Sequence, residues 1–344
     1  MSKHVLIIKL GSAVITNNSG NINKAVIKKI AADISFLSKQ YKIVLVSSGA
    51  VSSGKKYLTN YKGTLQERKV AAAIGNPILI QLYRSYFQKH GLTVAQALCE
   101  RGHFSNRKQF LQLKETFSTF WKNNIIPVVN ENDVISNLEL KFSDNDELAT
   151  LLAIGFDAQA LLLCTSVGGL LDAGGKILKE VNHINSETMG FVNSEKSDVG
   201  LGGMLSKLTF TRLATSLGIK VIMCGLQSKK PFSDAIDQKN GTHFTPQRST
   251  LKNRQKWLAS GSITLGNIYI DKGAGKAVIN RKSLLTVGIR RVDGVFSTGE
   301  VVQIMDEDNN IIGVAKTKLS ATDLKRKLKE KNIIAAHAND IVLL

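Results

Sequence analysis

The sequence predicts an α/β protein built on a mainly parallel sheet, followed by a small all-β module. Three observations carry this. Short β-branched runs alternate with amphipathic stretches of helical length through the first two-thirds of the chain. Those runs are apolar at nearly every position, as in strands covered on both faces. From Gly261 onward the rhythm changes to short strand-like segments separated by turn residues. A chain of 344 residues is long enough for two domains, and residues 1–253 and 258–344 are expected to form them.

Taken in order, the first strand is His4 to Leu10, around Val5-Leu6-Ile7-Ile8. Lys42 to Val46, Leu92 to Ala97, Ile125 to Asn130, Ala160 to Cys164 and Lys220 to Cys224 follow as strands. Asn23 to Gln40, Lys69 to Lys89, Phe110 to Asn123 and Leu205 to Leu217 read as the intervening helices. Strand, helix, strand at this spacing predicts parallel crossover units. The polar stretch Gln227 to Asn253, with Pro231 and Pro246, is the expected linker region. Beyond it, Ser262 to Leu265, Asn267 to Ile270, Val287 to Val292, Val301 to Met305 and Ile311 to Lys316 read as strands of a small barrel. Leu324 to Lys331 reads as a helix with one apolar edge and a solvated basic face.

Charge is the unusual bulk property. The chain has 46 Lys+Arg against 27 Asp+Glu, a net charge of +19. Residues 1–250 contribute +12 and residues 251–344 contribute +7, so the excess is not gathered in one tail. Such a field favours anionic partners: nucleic acid, a lipid surface, or acidic small molecules. The composition, 43% hydrophobic and 21% charged, excludes wholesale disorder and a collagen-like chain. Cys99, Cys164 and Cys224 are scattered and form no CxxC pair, so neither a disulfide framework nor a zinc module is expected. No leader or membrane-length apolar run is read at the start or elsewhere, and a cytoplasmic protein without membrane contact is expected. The six histidines share no motif, and no nucleophilic triad stands out.

Chemistry-bearing residues cluster at the strand ends, where ligands of open α/β sheets bind. Lys9-Leu10-Gly11-Ser12 closes an apolar strand with a charge that needs a partner there. Gly49-Ala50-Val51-Ser52-Ser53-Gly54-Lys55-Lys56 nearly satisfies a phosphate loop but has Lys56 where a Ser or Thr would ligate magnesium. It reads as a glycine-bearing turn into a helix whose first N–H groups suit an anion. Asn130-Glu131-Asn132-Asp133 follows a buried strand. Asp144-Asn145-Asp146-Glu147 leads into a helix, with Asp144 a candidate N-cap. Gly200-Leu201-Gly202-Gly203-Met204-Leu205-Ser206-Lys207 places a lysine on the first turn of another helix. Lysines, anion-ready loops and acidic loops in one sheet are the equipment of phosphoryl transfer.

These loops, in this order, resemble the amino-acid kinase family, and within it most closely the glutamate kinases. The matching runs are Ile8 to Ser12, Ser47 to Val51, Ala73-Ile74-Gly75-Asn76, Asn130 to Asp133, Asp144 to Asp146 and Gly202 to Lys207. Gly261 to Ile270, Asp271 to Ala274, Ser283 to Leu285, Val287 to Ile289 and Gly299 to Val302 resemble a PUA module. The resemblance implies a three-layer sandwich of the amino-acid kinase fold with a small C-terminal β-barrel. It implies ATP-dependent phosphorylation of the L-glutamate γ-carboxylate, the first step toward proline, with Mg²⁺ bridging the nucleotide phosphates. By motif, Lys9 and Lys207 would contact the phosphates and Asp146 would hold both lysines. Ser48, Asp133 and Asn145 would contact glutamate. Thr165, Ser166, Leu201, Gly202, Gly203, Met204, Leu205, Ser206 and Lys207, with Lys9, would line the nucleotide, and no protein metal ligand is expected.

Three positions depart from the family pattern, all on the nucleotide side. Ser166 stands where the family has Asp, Leu171-Asp172-Ala173-Gly174-Gly175 replaces a Thr-Ala-Asp-Pro turn, and Leu201 stands where Thr is common. The resemblance also implies a homo-oligomer, dimer or tetramer, and a hand-off of product to glutamyl phosphate reductase. Two alternatives stay open: another small-acid kinase on this fold, or an RNA-binding or regulatory paralogue using the PUA module. Lys252, Arg254, Lys256, Arg281, Lys282, Arg290 and Arg291 are the basic residues that would serve RNA.

Overall fold

The structure is a computed structural model and describes residues 3–17, 21–135, 144–191, 203–247 and 266–343. It divides into two compact units, one of residues 1–100 with 112–249, the other of 101–111 with 250–344.

The first unit is organised by eight strands: β1 (His4–Leu10), β2 (Tyr41–Ser47), β3 (Thr93–Cys99), β4 (Ile125–Glu131), β5 (Ala160–Cys164), β6 (Glu180–Val181), β7 (Lys220–Cys224) and β8 (Thr242–Phe244). They lie in the order β3-β4-β2-β1-β5-β7-β8-β6. The β7–β8 pair is antiparallel and every other pair in this sheet is parallel. The long strands match the sequence expectation within two residues at each end. Strands β6 and β8 were not expected, because two or three residues are too short to show a period.

Among the described residues, ten helices accompany these strands along the chain, α5 and the first residues of α6 falling in the second unit: α1 (Ser12–Ile15), α2 (Lys24–Leu37), α3 (Ala50–Gly54), α4 (Leu65–Phe87), α5 (Gly102–Ser105), α6 (Arg107–Lys122), α7 (Asn145–Gly155), α8 (Ser186–Gly190), α9 (Met204–Ser216) and α10 (Pro231–Ile236). Alternation along β1 sorts the layers. Leu6, Ile8 and Leu10 share a core with α2, α4 and α10 through Ile27, Ile30, Ile34, Leu79, Tyr83, Phe87 and Phe232. Lys9 therefore faces the opposite side, where α7 packs on β1 and β5 and α9 packs on β7. The result is helix, sheet, helix, the three-layer arrangement expected.

Local chemistry explains the helix ends near the site. Asn23 caps α2 by accepting from the Ala25 and Val26 N–H groups. Thr64 and Glu67 form a capping box at the start of α4, which the sequence reading began four residues late. Helix α4 continues through Pro77, although proline cannot donate to the carbonyl one turn earlier.

The second unit has strands β9 (Gly266–Ile270), β10 (Leu284–Leu285), β11 (Ile289–Gly294), β12 (Val301–Met305), β13 (Ile311–Lys316), β14 (Ile334–Ala336) and β15 (Ile341–Leu343). Five form a sheet in the order β11-β9-β12-β13-β15, and β10 pairs separately with β14. Both sheets contribute to one core of Ile268, Ile270, Leu284, Val302, Ile304, Ala335 and Ala336. Helices α11 (Lys272–Ile279) and α12 (Ala321–Arg326) complete it. Helix α11 was not expected. Helix α12 starts three residues earlier than the expected Leu324 to Lys331 segment, because Ser320 caps it by accepting from the Asp323 N–H, and it ends at Arg326. The expected strand Ser262 to Leu265 and the basic residues Lys252, Arg254 and Lys256 lie outside the described residues.

Candidate active site

The strand ends of β1, β2, β4 and β5 converge on Asp146, which is fully buried at the start of α7. Its carboxylate is shared by two lysines. Lys9 Nζ lies 2.6 Å from Oδ1 and Lys207 Nζ lies 2.9 Å from Oδ2. Lys9 comes from the end of β1 and Lys207 from the first turn of α9, so one carboxylate joins residues 61 and 137 positions away. Burial by itself would raise the Asp146 pKa, but the two ammonium groups outweigh it and hold the carboxyl below its ordinary range. A buried charge is tolerable here because it is paired twice.

Helix α7 starts where it does because of Asp144. Its Oδ1 accepts from the Asp146 and Glu147 N–H groups, at 2.8 and 3.1 Å. Its Oδ2 accepts from the Ser206 hydroxyl at 2.5 Å. Asp144 is thus the expected N-cap, and it also ties the start of α7 to the start of α9. That tie brings Asp146 and Lys207 together.

Beside this triad lies a row of amides. Asn145 Nδ2 donates to Ser48 Oγ and to Asn130 Oδ1, each at 2.9 Å. Asn130 Nδ2 donates to Asn76 Oδ1 at 3.1 Å. Ser48 itself is anchored by its N–H, which donates to the Leu10 carbonyl at 3.0 Å. The neighbouring Ser47 hydroxyl bonds the buried Tyr83 phenol at 2.7 Å and fastens β2 to α4. Asp133 follows β4 in the next turn and is half-buried.

Three glycines settle how the Gly49 loop is used. Gly49 has φ +104° and turns the chain from β2 into α3. A side chain at Gly54 would stand 1.9 Å from the Ala71 carbonyl oxygen, and one at Gly75 would stand 1.7 Å from that of Ala50. Helices α3 and α4 therefore meet backbone to backbone. Gly54 serves packing, and the near phosphate-loop pattern Gly49 to Lys56 is explained without a phosphate at Gly54.

On the nucleotide side expected from the sequence, Thr165 is buried and its hydroxyl accepts from the Gly168 N–H at 3.0 Å. Ser166 is exposed, and its carbonyl accepts from Gln227 Nε2 at 3.4 Å. Gly203, Met204 and Leu205 open α9, and a side chain added at Gly203 would meet nothing within 4 Å. Leu201 and Gly202 lie outside the described residues.

The structure therefore brings Lys9, Asp146 and Lys207 together, and Ser48 with Asn145. Sequence reasoning missed Asn76 as a member of the polar row. The signal was present, since Asn76 is a polar residue on the buried side of an amphipathic helix. Among the described residues no group of three or more His, Cys, Asp or Glu side chains is placed to hold a metal ion. No described helix is long and apolar enough to cross a membrane. All three cysteines are free and buried.

Comparison with known proteins places this site in context. The amino acid kinase family matches residues 4–225, and the PUA domain family matches residues 266–337. The chain is 33% identical over 348 residues to the glutamate 5-kinase of Vibrio vulnificus (strain YJ016), spanning 98% of this chain and 90% of that protein. It is 33% identical over 325 residues to the glutamate 5-kinase of Thermotoga maritima, spanning 93% of this chain and 90% of that protein. Among solved structures, the UMP kinase from Ureaplasma parvum aligns with a TM-score of 0.47 at 11% identity, over 71% of this chain and 100% of that one. On the family match and these full-length relatives, the chain belongs to the amino acid kinase family, in its glutamate 5-kinase branch, and carries a C-terminal PUA domain.

Proposed function

We propose that this protein transfers the γ-phosphoryl group of ATP to the γ-carboxylate of L-glutamate, forming glutamyl 5-phosphate, the first step of proline biosynthesis. The observation that carries the reading is the buried Asp146 carboxylate holding Lys9 and Lys207 at 2.6 and 2.9 Å beside the polar row of Asn145, Ser48, Asn130 and Asn76. Relatives named glutamate 5-kinase supply the substrate.

The chemistry asks little of an acid or base. A carboxylate is already ionised at neutral pH and attacks the γ-phosphorus directly. The bond from that phosphorus to the β–γ bridging oxygen breaks, and ADP leaves with the electron pair. Negative charge spreads over the transferring oxygens, and the two lysines stand ready to neutralise it without reorganisation. Asp146 orients both ammonium groups and does not touch substrate. Ser48, Asn145 and Asp133 hold the acid, and alignment supplies much of the rate. Gly203 and Gly11 support a nucleotide on this side. A side chain at Gly11 would make only ordinary contacts and one at Gly203 would meet nothing, so close approach of phosphate is the remaining reason for glycine. Thr165, Ser166 and the Gly202 to Lys207 turn line that side.

Magnesium enters as the Mg·ATP substrate. Both Asp146 oxygens are engaged by lysines, so the carboxylate at the centre of the site is not offered to a resident ion. The product is a labile mixed anhydride, which favours prompt consumption by a reductase, and a cytoplasmic homo-oligomer is the setting we expect.

The test is glutamate-dependent ADP release with Mg·ATP, the acyl phosphate being trapped by hydroxylamine as the hydroxamate. Hydroxamate formation with glutamate, and little with aspartate or N-acetylglutamate, is expected. Equal rates on a rival acid, or no glutamate-dependent turnover, would overturn the assignment.

A further inference from the structure

Asn76 is 6% exposed on α4, and Asn130 is 6% exposed at the end of β4. Their side chains form a directed row with Asn145. Asn76 Oδ1 accepts from Asn130 Nδ2, and Asn130 Oδ1 accepts from Asn145 Nδ2. The second Asn145 Nδ2 proton goes to Ser48 Oγ.

A carboxamide has one donor end and one acceptor end. In a row of three, no single member can reverse. Turning Asn130 alone would set oxygen against oxygen at one contact and nitrogen against nitrogen at the other. All three turn together or none does. The two orientations differ in what reaches the pocket. In the observed one, Asn145 has spent both protons inward, so its Oδ1 is the end left for a ligand. Ser48 receives a proton from Asn145, so its own hydroxyl proton is available to donate. In the reversed row Asn145 would show a donor instead.

We propose that Asn76 is a positioning residue that supplies the acceptor the buried Asn130 amide needs in the observed direction of the row, the direction in which the site presents an acceptor from Asn145 and a donor from Ser48. That pairing suits a ligand carrying an ammonium beside a carboxylate, the α-amino acid end of the substrate. Asn76 touches no substrate atom. Its influence is exerted on ground-state binding of the acid and not on the phosphoryl step. The inference rests on the reading of Ser48 and Asn145 as the acid-binding side.

The test compares the unaltered protein with Asn76→Leu, Asn76→Ala and Asn76→Asp. Steady-state kinetics with glutamate and with Mg·ATP are measured for each. Removing the terminal acceptor, in the Leu and Ala variants, is expected to raise the glutamate KM about tenfold while kcat and the ATP KM stay within about twofold. Asp can only accept once ionised, so it locks the observed direction and should keep the glutamate KM within about threefold of the unaltered protein. The Ala variant only deletes atoms and carries the comparison if Leu does not fit; thermal melts confirm that each variant is folded. An unchanged glutamate KM in Leu and Ala, or an equal rise in Asp, would overturn the proposal. A failure of the functional reading looks different: the unaltered protein would then turn over no glutamate, and the same variants would be compared on aspartate and N-acetylglutamate.

Discussion

At the residue scale the site depends on one buried carboxylate. Asp146 has no exposure and two cationic partners, so its worth lies in pairing and orientation. In the proposed reaction Lys9 is one of two charges that would face the transferring phosphoryl group. Lys9→Ala is expected to lower kcat by about 10²- to 10³-fold, the cost of one preorganised stabilising donor. Lys207→Ala is expected to behave alike, with circular dichroism showing a retained fold. Near-full turnover in either variant would remove the role assigned. The sign of the pH effect follows from the direction of the Asp146 shift. Its pKa is held below that of the unfolded chain, so its stabilising contribution is complete above about pH 4 and is lost as pH falls further toward the folded value. A pH profile of kcat should therefore show no acid limb from Asp146 above the ordinary carboxylate range.

At the element scale, the crossing of α3 and α4 positions the loop that carries Ser48. Only glycines at 54 and 75 allow the backbones this close. Gly75→Ala sets a methyl group 1.7 Å from the Ala50 carbonyl oxygen and forces the helices apart. A loss of about 3 kcal/mol in urea unfolding is expected, at the upper end of ordinary overpacking. Glutamate binding should weaken more than ATP binding, because α3 follows the Gly49 turn. Unchanged stability would show that the crossing can relax. A second device acts on the far side of the sheet. Asp33, buried on α2, accepts from the Phe232 N–H at 2.7 Å and the Ser233 N–H at 3.2 Å, and so caps α10. Lys29 on the same helix donates to the Leu226 carbonyl at 2.8 Å. Together they hold the loop after β7, whose Gln227 reaches Ser166.

At the scale of the whole molecule, the positive charge is spread through the sequence, +12 in residues 1–250 and +7 in residues 251–344. Two lysines at the site account for little of it. The field favours acidic small molecules near the protein as a general property, not through one basic tail. Global stability carries a pH dependence of its own through His243. Strand β8 buries this residue, and burial, followed by the Lys220 ammonium, lowers its pKa below the ordinary imidazole range. The unfolded chain then binds the proton more readily than the folded one. Stability from this residue is complete above about pH 6.5 and falls as pH drops toward the folded pKa. Melting temperature should decline from pH 7 to pH 5, and His243→Gln should flatten that decline. An identical slope in both proteins would exclude His243 as its source.

The sequence alone determined the alternating strands and helices, the β-rich C-terminal module and the loops that carry chemistry. These are local matters of period, turn chemistry and strand ends, and apolar runs such as Ala160 to Cys164 report them directly. Lys9 was legible because a charge ending a buried strand demands a partner. What that partner was, and which residues stood beside it, depended on contacts distant in sequence. Strands β6 and β8 form only because β7 offers an edge, so no local period announced them. Gly54 resembled a phosphate-loop glycine until α4 was placed against it. Asn76, Asn130 and Asn145 are separated by 54 and 15 positions, and only the packed sheet and helices make them a row with a direction. A hydrogen bond's polarity is a property of neighbours in space, and tertiary structure alone decides those neighbours.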